Sequence, residues 1–279
     1  MMGSSTLTIL PGTERGAAAA GGGGGGSLLA GSLAESPLRQ PAAGPPPRAG
    51  EDLSQSYAAS RAQLETYFDR TARDAWERLT SDAPVSGIRA TVRAGRNAMR
   101  ATLLSWLPEN MTGLRLLDAG CGTGALAVEA AQRGAEVVAV DVATGLIDIA
   151  RTRVPPSLAI DWRVGDMLDP ALGTFDHVVA MDSLIHYGAF DIADAVATLA
   201  ERTRASLLVT FAPSTPALRA MHAVGKLFPR GNRSPAIQPV RDRVLRHLLT
   251  GMAPQHRVAR EHRVATGFYM SHAIELVRT

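Results

Sequence analysis

Residues 114–141 read LRLLDAGCGTGALAVEAAQRGAEVVAVD, in which two apolar runs flank a glycine-rich loop and an alanine-rich segment. The first run ends at Asp118 and the second at Asp141. Apolar residues between them recur at helical spacing, and Gly134 stands where the C-terminal cap of a helix is expected. The pattern predicts a strand, a loop, a helix and a second strand. We therefore expect an α/β fold in which ligands bind at the carboxyl ends of the strands.

The spacing of the glycines indicates which cofactor the loop binds. Dinucleotide sites usually read G-x-G-x-x-G, which directs the helix N-terminus at a pyrophosphate. Here Gly120, Gly122 and Gly124 give G-x-G-x-G, and Asp118 beside the loop would repel a pyrophosphate but attract a cation. S-adenosylmethionine (SAM) has no phosphate and carries an ammonium and a sulfonium, and Asp141 could accept hydrogen bonds from both hydroxyls of its ribose. The stretch therefore resembles the first motif of class I SAM-dependent methyltransferases, with a NAD site or a degenerate fold as the alternatives.

Two later loops add candidate site residues at the same edge of the sheet. A third strand ends before Gly165-Asp166-Met167, where the carboxylate could bind the exocyclic amine of adenine and the thioether could pack on its ring. A fourth strand leads into DSLIHY, residues 182–187. Loops beyond the carboxyl ends of strands form the site in such sheets, so we expect this loop to face the methyl group. His186 is a candidate base or substrate ligand.

Composition divides the chain of 279 residues into three parts. Residues 1–52 are rich in glycine and proline, and we expect a disordered tail. Residues 53–108 predict a helical arm whose aromatic residues either pack on the core or cover a large flat ligand. Residues 109–279 predict the SAM-binding core. An insertion at about 214–238 interrupts it, and this cap either packs on the core, lies beside the site or touches a membrane.

Charge and cysteine content narrow the class of protein. The pI of about 9.5 permits nucleic-acid binding, but Lys226 is the only lysine, and the loop at 182–187 lacks the [DNS]-P-P-[YFW] motif of amino-methyltransferases acting on nucleic acids. We therefore expect no nucleic-acid partner. The single cysteine, Cys121, excludes an intramolecular disulfide and fits a reducing compartment. A stripe of four arginines on the second predicted helix is either solvated or contacts an anionic partner: Arg89, Arg93, Arg96 and Arg100.

Segments outside the glycine loop carry a more specific resemblance. They are YFDRTARDAWERL at 67–79, APVSGIRATVRAGRNAMRATLLSWLP at 83–108, GDMLDP at 165–170, FDHVVAMDSLIHY at 175–187, MHAVGKLFPRGNRSPAI at 221–237 and TGFYMSHAIELVR at 266–278. With them, the chain from about residue 55 to its last residue closely resembles the magnesium-protoporphyrin IX O-methyltransferases of bacteriochlorophyll-making bacteria. The resemblance implies a class I methyltransferase fold: a seven-stranded mixed sheet with a final antiparallel hairpin, an N-terminal helical arm and an inserted cap helix.

The resemblance also implies a reaction and a set of site residues. SAM would methylate the 13-propionate carboxylate of Mg-protoporphyrin IX, giving the monomethyl ester, with His186 as the catalytic residue. We expect nine residues to bind SAM: Asp118, Gly120, Gly122, Gly124, Asp141, Val142, Asp166, Met167 and Asp182. We expect the porphyrin to contact Tyr67, Trp76, Tyr187 and Lys226, and we expect no metal site in the protein. The cyanobacterial and plant branch carries an active-site tyrosine near the position of Thr80, and that role is not transferred.

Partners and location follow from the same resemblance. The porphyrin-binding subunit of magnesium chelatase is a possible partner. No apolar run reaches the roughly 18 residues that cross a bilayer, so we expect a cytoplasmic protein with at most peripheral contact to intracytoplasmic photosynthetic membranes. Two other functions remain open. One is methylation of another small molecule, such as a quinone, and the other is a non-catalytic role as a porphyrin-binding partner of the chelatase.

Overall fold

The computed structural model describes residues 49–70, 87–155, 157–215 and 236–279. The predicted tail lies almost entirely outside these ranges, and so does most of the predicted cap. Trp76, Thr80 and Lys226 also lie outside the described residues.

The described helices alternate with strands through most of the chain. The helices are α1 (Ala49–Arg70), α2 (Ile88–Trp106), α3 (Ala125–Gln132), α4 (Thr144–Arg153), α5 (Ala189–Glu201) and α6 (Asp242–Met252). The strands are β1 (Arg115–Ala119), β2 (Glu136–Asp141), β3 (Ile160–Val164), β4 (Phe175–Ala180), β5 (Thr203–Phe211), β6 (His256–Thr266) and β7 (Tyr269–Arg278). None of the helices in the described ranges is long and apolar enough to cross a bilayer.

Within the described residues, seven strands form one sheet in the order β3-β2-β1-β4-β5-β7-β6. Strands β1 to β5 are parallel, whereas β7 runs antiparallel to both β5 and β6. This confirms the predicted mixed sheet with its final antiparallel hairpin. The strand order reverses direction between β1 and β4. Such a switch point is where open α/β sheets form a crevice for ligands.

Apolar side chains fill both faces of the sheet because its central strands are buried on both sides. Successive residues of a strand point to opposite faces. Leu116 of β1 therefore belongs to the cluster that packs under α2 and α3, and its neighbour Leu117 belongs to the cluster under α1, α5 and α6. Both side chains are fully buried. The packing holds the carboxyl end of β1, and with it the glycine loop, in a fixed position.

The described parts of the predicted N-terminal arm pack on opposite faces of this sheet. Leu64 of α1 is buried in the cluster with α5, and Met99 of α2 is buried in the cluster with α3. Gly95 lets α2 approach β7 closely, since a Cβ there would lie 2.4 Å from the ring of Tyr269. The arm thereby brings side chains from two helices to the carboxyl edge of the sheet.

Candidate active site

A cavity of about 520 Å³ lies at the carboxyl ends of the parallel strands. Its lining includes residues that directly follow β1, β2, β3, β4 and β5, together with residues of α1, α2 and the turn between β6 and β7. The predicted site residues that line it are Gly120, Gly122, Asp141, Val142, Met167, Asp182, His186 and Tyr187. The structure thus brings together eight positions that the sequence spreads over about 70 residues.

The glycine loop turns tightly beneath this cavity. The N–H groups of Gly120 and Cys121 both donate to the carbonyl of Val140, at 2.8 and 3.0 Å, which ties the loop to the end of β2. Gly120 has a φ of 80°, and a Cβ there would lie 2.3 Å from the Cβ of Ser183. A side chain at this position would therefore be strained and would collide with the loop after β4.

Gly124 has a packing role in the structure. It does not line the cavity, and a Cβ on it would lie 2.2 Å from the ring of Trp162 on β3. Its φ of 79° is also in the left-handed region. The third glycine is therefore required for packing between the start of α3 and β3, and its expected contact with SAM stays a prediction.

Asp141 is fixed at the tip of β2 by two backbone N–H groups. Its Oδ2 accepts a hydrogen bond from Gly122 at 2.8 Å, and its Oδ1 accepts one from Ala143 at 2.9 Å. Burial raises the pKa of the carboxyl, and the two N–H donors oppose that rise. Each carboxylate oxygen has two lone pairs, so both can still accept a hydroxyl. The geometry suits a pair of adjacent ribose hydroxyls.

Asp118 lies beneath the loop instead of facing the cavity. Its side chain is 2% exposed, and its Oδ2 accepts a hydrogen bond from the N–H of Ala127 in the first turn of α3, at 3.1 Å. The side chain caps the helix that follows the glycine loop, and its expected contact with the cofactor stays a prediction. Burial raises its pKa to about 7, opposed by the Ala127 N–H and aided by the charge of Asp141.

The raised pKa of Asp118 predicts a pH dependence of stability. The folded protein holds this proton up to about pH 7, whereas the unfolded chain releases it near the ordinary value of 3.8. The free energy of unfolding should therefore fall as pH rises from about 4 to 7, by an upper bound on the order of 4 kcal/mol. Asp118→Asn keeps an acceptor for Ala127 but cannot titrate. We expect urea denaturation to show a smaller loss of stability between pH 5 and pH 8 in the variant; equal losses in both proteins would contradict the prediction.

Asp166 is held by the N-terminal helix. Its Oδ1 accepts hydrogen bonds from Tyr57 Oη at 2.8 Å and Leu168 N–H at 2.9 Å, and its Oδ2 pairs with Arg61 at 2.8 Å. Burial raises the pKa of Tyr57, so its hydroxyl remains a donor. Met167 lines the cavity but Asp166 does not. In this structure the carboxylate joins α1 to the loop after β3, and its expected contact with adenine stays a prediction.

Asp182 lies at the tip of β4 in a left-handed conformation, with a φ of 55°. Its side chain, 4% exposed, pairs with Arg96 of α2 at 2.9 Å and accepts a hydrogen bond from Tyr269 Oη at 2.9 Å. Its N–H donates to Thr210 Oγ1 at 2.7 Å. Three elements thus hold this residue at the cavity wall. A buried ion pair of this kind contributes position more than stability.

His186 and Tyr187 occupy the loop after β4. His186 lines the cavity, with its Nδ1 lying 3.4 Å from the carbonyl oxygen of Ala236, and its own carbonyl accepts a hydrogen bond from Gln238 Nε2 at 3.0 Å. Tyr187 is 3% exposed and stacks on Tyr57 with ring centroids 4.9 Å apart. Tyr187 is therefore part of the wall and joins the loop to α1.

Two adjacent aromatic residues of α1 differ in their position relative to the cavity. Tyr67 does not line the cavity, whereas its neighbour Phe68 does. Consecutive helical residues point about 100° apart, so only one of the two can face the site. Phe68 packs edge-on against His186, with ring centroids 6.4 Å apart. The expected porphyrin contact of Tyr67 stays a prediction, and Phe68 is the residue of this pair that lines the cavity.

Sequence reasoning missed several residues at this site. The arginine stripe contained Arg96 but did not identify it as the member that reaches Asp182, and nothing singled out Tyr269 or Ser183. The arginines of the stripe have different partners: Arg96 pairs with Asp182, whereas Arg100 pairs with Glu129 of α3 at 2.7 Å. No cluster of metal-ligating side chains occurs among the described residues.

Comparison with known proteins adds independent findings. Residues 180–278 match the family model for the C-terminus of magnesium-protoporphyrin IX methyltransferase, and residues 116–206 match a methyltransferase domain model. The chain is 51% identical over 227 residues to the magnesium-protoporphyrin O-methyltransferase of Rhodobacter capsulatus, covering 80% of this chain and 99% of the relative. It is 29% identical to the enzyme of that name from Synechocystis, over 77% of this chain and 95% of the relative.

A solved structure agrees with these sequence matches. The crystal structure of magnesium protoporphyrin IX methyltransferase from Synechocystis PCC 6803 with bound S-adenosylhomocysteine superposes with a TM-score of 0.70 at 27% identity. The match covers 78% of this chain and 99% of the other.

Proposed function

The chain belongs to the family of magnesium-protoporphyrin O-methyltransferases, and we infer that it transfers a methyl group from SAM to a propionate carboxylate of Mg-protoporphyrin IX in bacteriochlorophyll biosynthesis. The observation that carries this function is the 51% identity to the Rhodobacter capsulatus enzyme over 99% of its length. Identity of that extent includes the acceptor side of the fold as well as the glycine loop that all class I methyltransferases share. SAM is the co-substrate.

We propose that SAM lies along the carboxyl edge of the sheet, with its adenine at β3, its ribose at β2 and its methionine portion after β1. Met167 beyond β3 is placed to pack on the adenine, and Asp141 at the tip of β2 is placed to accept the ribose hydroxyls. Gly120 and Gly122 after β1 allow the methionine portion to lie close to the backbone. This order directs the sulfonium methyl group towards the loop after β4, where His186 lies.

We propose that the porphyrin occupies the part of the cavity beyond β4. Flat and apolar side chains wall this part, including Phe68, Ile185, Phe268 and Met270. Phe268, in the turn between β6 and β7, is 49% exposed and extends the apolar surface outward. A macrocycle too large to be enclosed could rest against it while one propionate enters the cavity. The resemblance to the bacteriochlorophyll enzymes indicates the 13-propionate.

The chemistry requires positioning more than acid–base catalysis. A propionate is ionised near neutral pH, so one of its oxygens can attack the methyl carbon directly. The carbon–sulfur bond breaks, its electron pair stays on sulfur, and neutral S-adenosylhomocysteine leaves without any proton transfer. Holding oxygen, carbon and sulfur in line can lower the barrier by roughly 7–11 kcal/mol. We propose that His186 contributes to this alignment.

We also propose that the acceptor arrives from the porphyrin-binding subunit of magnesium chelatase or from the surface of a photosynthetic membrane. A large apolar macrocycle is unfavourable in water, so direct transfer between surfaces would keep it in solution. The half-exposed Phe268 at the cavity supports such a transfer. Co-sedimentation of the full chain with liposomes, and separately with the chelatase subunit, would test the two sources.

The direct test is incubation of the purified protein with methyl-labelled SAM and Mg-protoporphyrin IX. We expect label in a monomethyl ester, identified by its retention time and by mass spectrometry. Transfer of label to a quinone but not to the porphyrin would favour the other small-molecule methyltransferases. Porphyrin binding without any transfer would favour a non-catalytic carrier. Identification of the esterified carboxyl by nuclear magnetic resonance would test the choice of the 13-propionate.

A further inference from the structure

Ser183 has a buried hydroxyl that the proposed reaction does not yet use. The residue lines the cavity directly after Asp182, yet its Oγ makes no hydrogen bond within the described residues and is closed off from solvent. An unsatisfied buried hydroxyl is unfavourable by about 1–3 kcal/mol. Buried polar groups are otherwise paired in nearly every protein. A buried hydroxyl in a cavity wall that has no partner within the protein is placed to bind a ligand in that cavity.

The position of Ser183 identifies the part of the cavity it faces. A Cβ at Gly120 would lie 2.3 Å from Ser183 Cβ and 3.1 Å from its Oγ, so the serine packs on the first glycine of the loop. It therefore lies at the junction of β1 and β4, on the side of the cavity where the methyl donor is proposed to bind. Because Ser183 also lines the cavity, its side chain lies between the first glycine and the space in which SAM is proposed to bind.

The order of groups along the sheet edge identifies the ligand chemistry. With adenine at β3 and ribose at β2, the group that reaches the junction of β1 and β4 is the α-amino-acid end of the cofactor. That end carries a carboxylate and an ammonium, and a hydroxyl can donate to one or accept from the other. The adjacent Arg96–Asp182 ion pair holds the start of this loop in place.

We propose that the Ser183 hydroxyl binds the α-amino-acid end of SAM, and that it lacks a partner only while the cofactor is absent. The proposal rests on the proposed function only in taking SAM as the methyl donor; it is independent of the identity of the acceptor. Ser183 then contributes to affinity for the cofactor and to the placement of the sulfonium methyl group.

The test compares two ligands that differ at this end of the molecule. S-adenosylhomocysteine carries the amino-acid end, whereas 5′-methylthioadenosine keeps the adenine, ribose and sulfur but lacks it. Hydrogen bonds to charged groups contribute about 1.5–3 kcal/mol. By isothermal titration calorimetry, we expect Ser183→Ala to raise the Kd for S-adenosylhomocysteine about 10- to 100-fold. The Kd for 5′-methylthioadenosine should change by less than about twofold, because that ligand cannot reach the hydroxyl.

Thermal stability distinguishes a ligand-binding role of Ser183 from a purely structural role. Ser183→Ala removes an unsatisfied hydroxyl from the free protein, so its Tm without ligand should equal or exceed that of the unmodified protein. The rise in Tm caused by S-adenosylhomocysteine should be smaller in the variant, because that rise follows ligand affinity.

Ser105→Ala is the matched control. Ser105 lies on the exposed side of α2, its Oγ donates to the carbonyl of Thr102 at 2.7 Å, and it does not line the cavity. We expect its substitution to leave both Kd values within about twofold of the unmodified protein.

The possible results of these measurements test different claims. Equal weakening of both ligands by Ser183→Ala, or no weakening of either, overturns the role of Ser183. A fall in Tm of the free variant together with equal weakening identifies a structural role instead. Failure of the unmodified protein to bind either ligand would overturn the proposed function itself.

Discussion

Asp141→Ala is expected to weaken the binding of S-adenosylhomocysteine by at least about 100-fold, because two hydrogen bonds to a charged carboxylate contribute about 1.5–3 kcal/mol each. The carboxylate is held at the tip of β2 by Gly122 and Ala143, and both of its oxygens retain a lone pair for the ribose. The substitution removes the acceptors and also leaves the two N–H groups without a side-chain partner. Isothermal titration calorimetry measures the change directly.

Two further variants separate cofactor binding from disruption of the loop. Asp141→Asn preserves the shape but offers only one acceptor oxygen, and its amide N–H₂ would face a backbone N–H. We expect an affinity between those of the unmodified protein and Asp141→Ala. Asp161→Ala removes an exposed carboxylate that pairs with Arg163 on β3 and should not change the affinity. Binding of S-adenosylhomocysteine by Asp141→Ala within about threefold of the unmodified protein would contradict this placement of the ribose.

His186→Ala is expected to lower turnover by about 100-fold at saturating SAM, which is the loss expected when the reacting groups are misplaced by about 1 Å. The affinity for S-adenosylhomocysteine should change little, since the ring lies in the loop after β4 beside Phe68, in the part of the cavity proposed for the porphyrin. Steady-state rates of ester formation, together with calorimetry, give both quantities. His262→Ala, on the exposed face of β6, is the matched control and should retain full activity.

The acceptor itself distinguishes two roles for His186. If the imidazole orients the reacting carboxylate, the substitution should reduce the turnover of Mg-protoporphyrin IX and of metal-free protoporphyrin IX by similar factors. If it ligates the magnesium axially, only the metalloporphyrin should lose affinity, and its absorption spectrum in the complex should change. Full activity of His186→Ala with saturating substrates would exclude both roles.

The core of the fold was predictable because its signals are local. The glycine loop joins two strands within residues 114–141, and each strand is a short apolar run that is buried on both faces. The position of Asp141 at a strand tip beside that loop follows from the same stretch. The bounds of β1, β2, β3 and β4 agree with the predicted runs to within about one residue, since alternation and glycine placement leave few other pairings.

The roles of the acidic residues were not predictable to the same degree. Asp118, Asp166 and Asp182 all end or follow strands, so each looked like a cofactor ligand. Their partners are distant in sequence: Tyr57 is 109 residues from Asp166, and Arg96 is 86 residues from Asp182. A carboxylate accepts whichever donor the fold brings to it, and that donor is not encoded next to it.

The sequence by itself determined the first βαβ unit, the glycine loop and the class of cofactor, because these depend on residue types and on the pattern of apolar runs within residues 114–141. Only the tertiary structure decided which side chains face the cavity. Helix rotation placed Phe68 there and turned Tyr67 away, burial placed Asp118 under α3, and the approach of α2 to β7 at Gly95 joined Arg96 and Tyr269 at Asp182. The same packing left the Ser183 hydroxyl beside the first glycine of the loop, where residue type alone gave no reason to look.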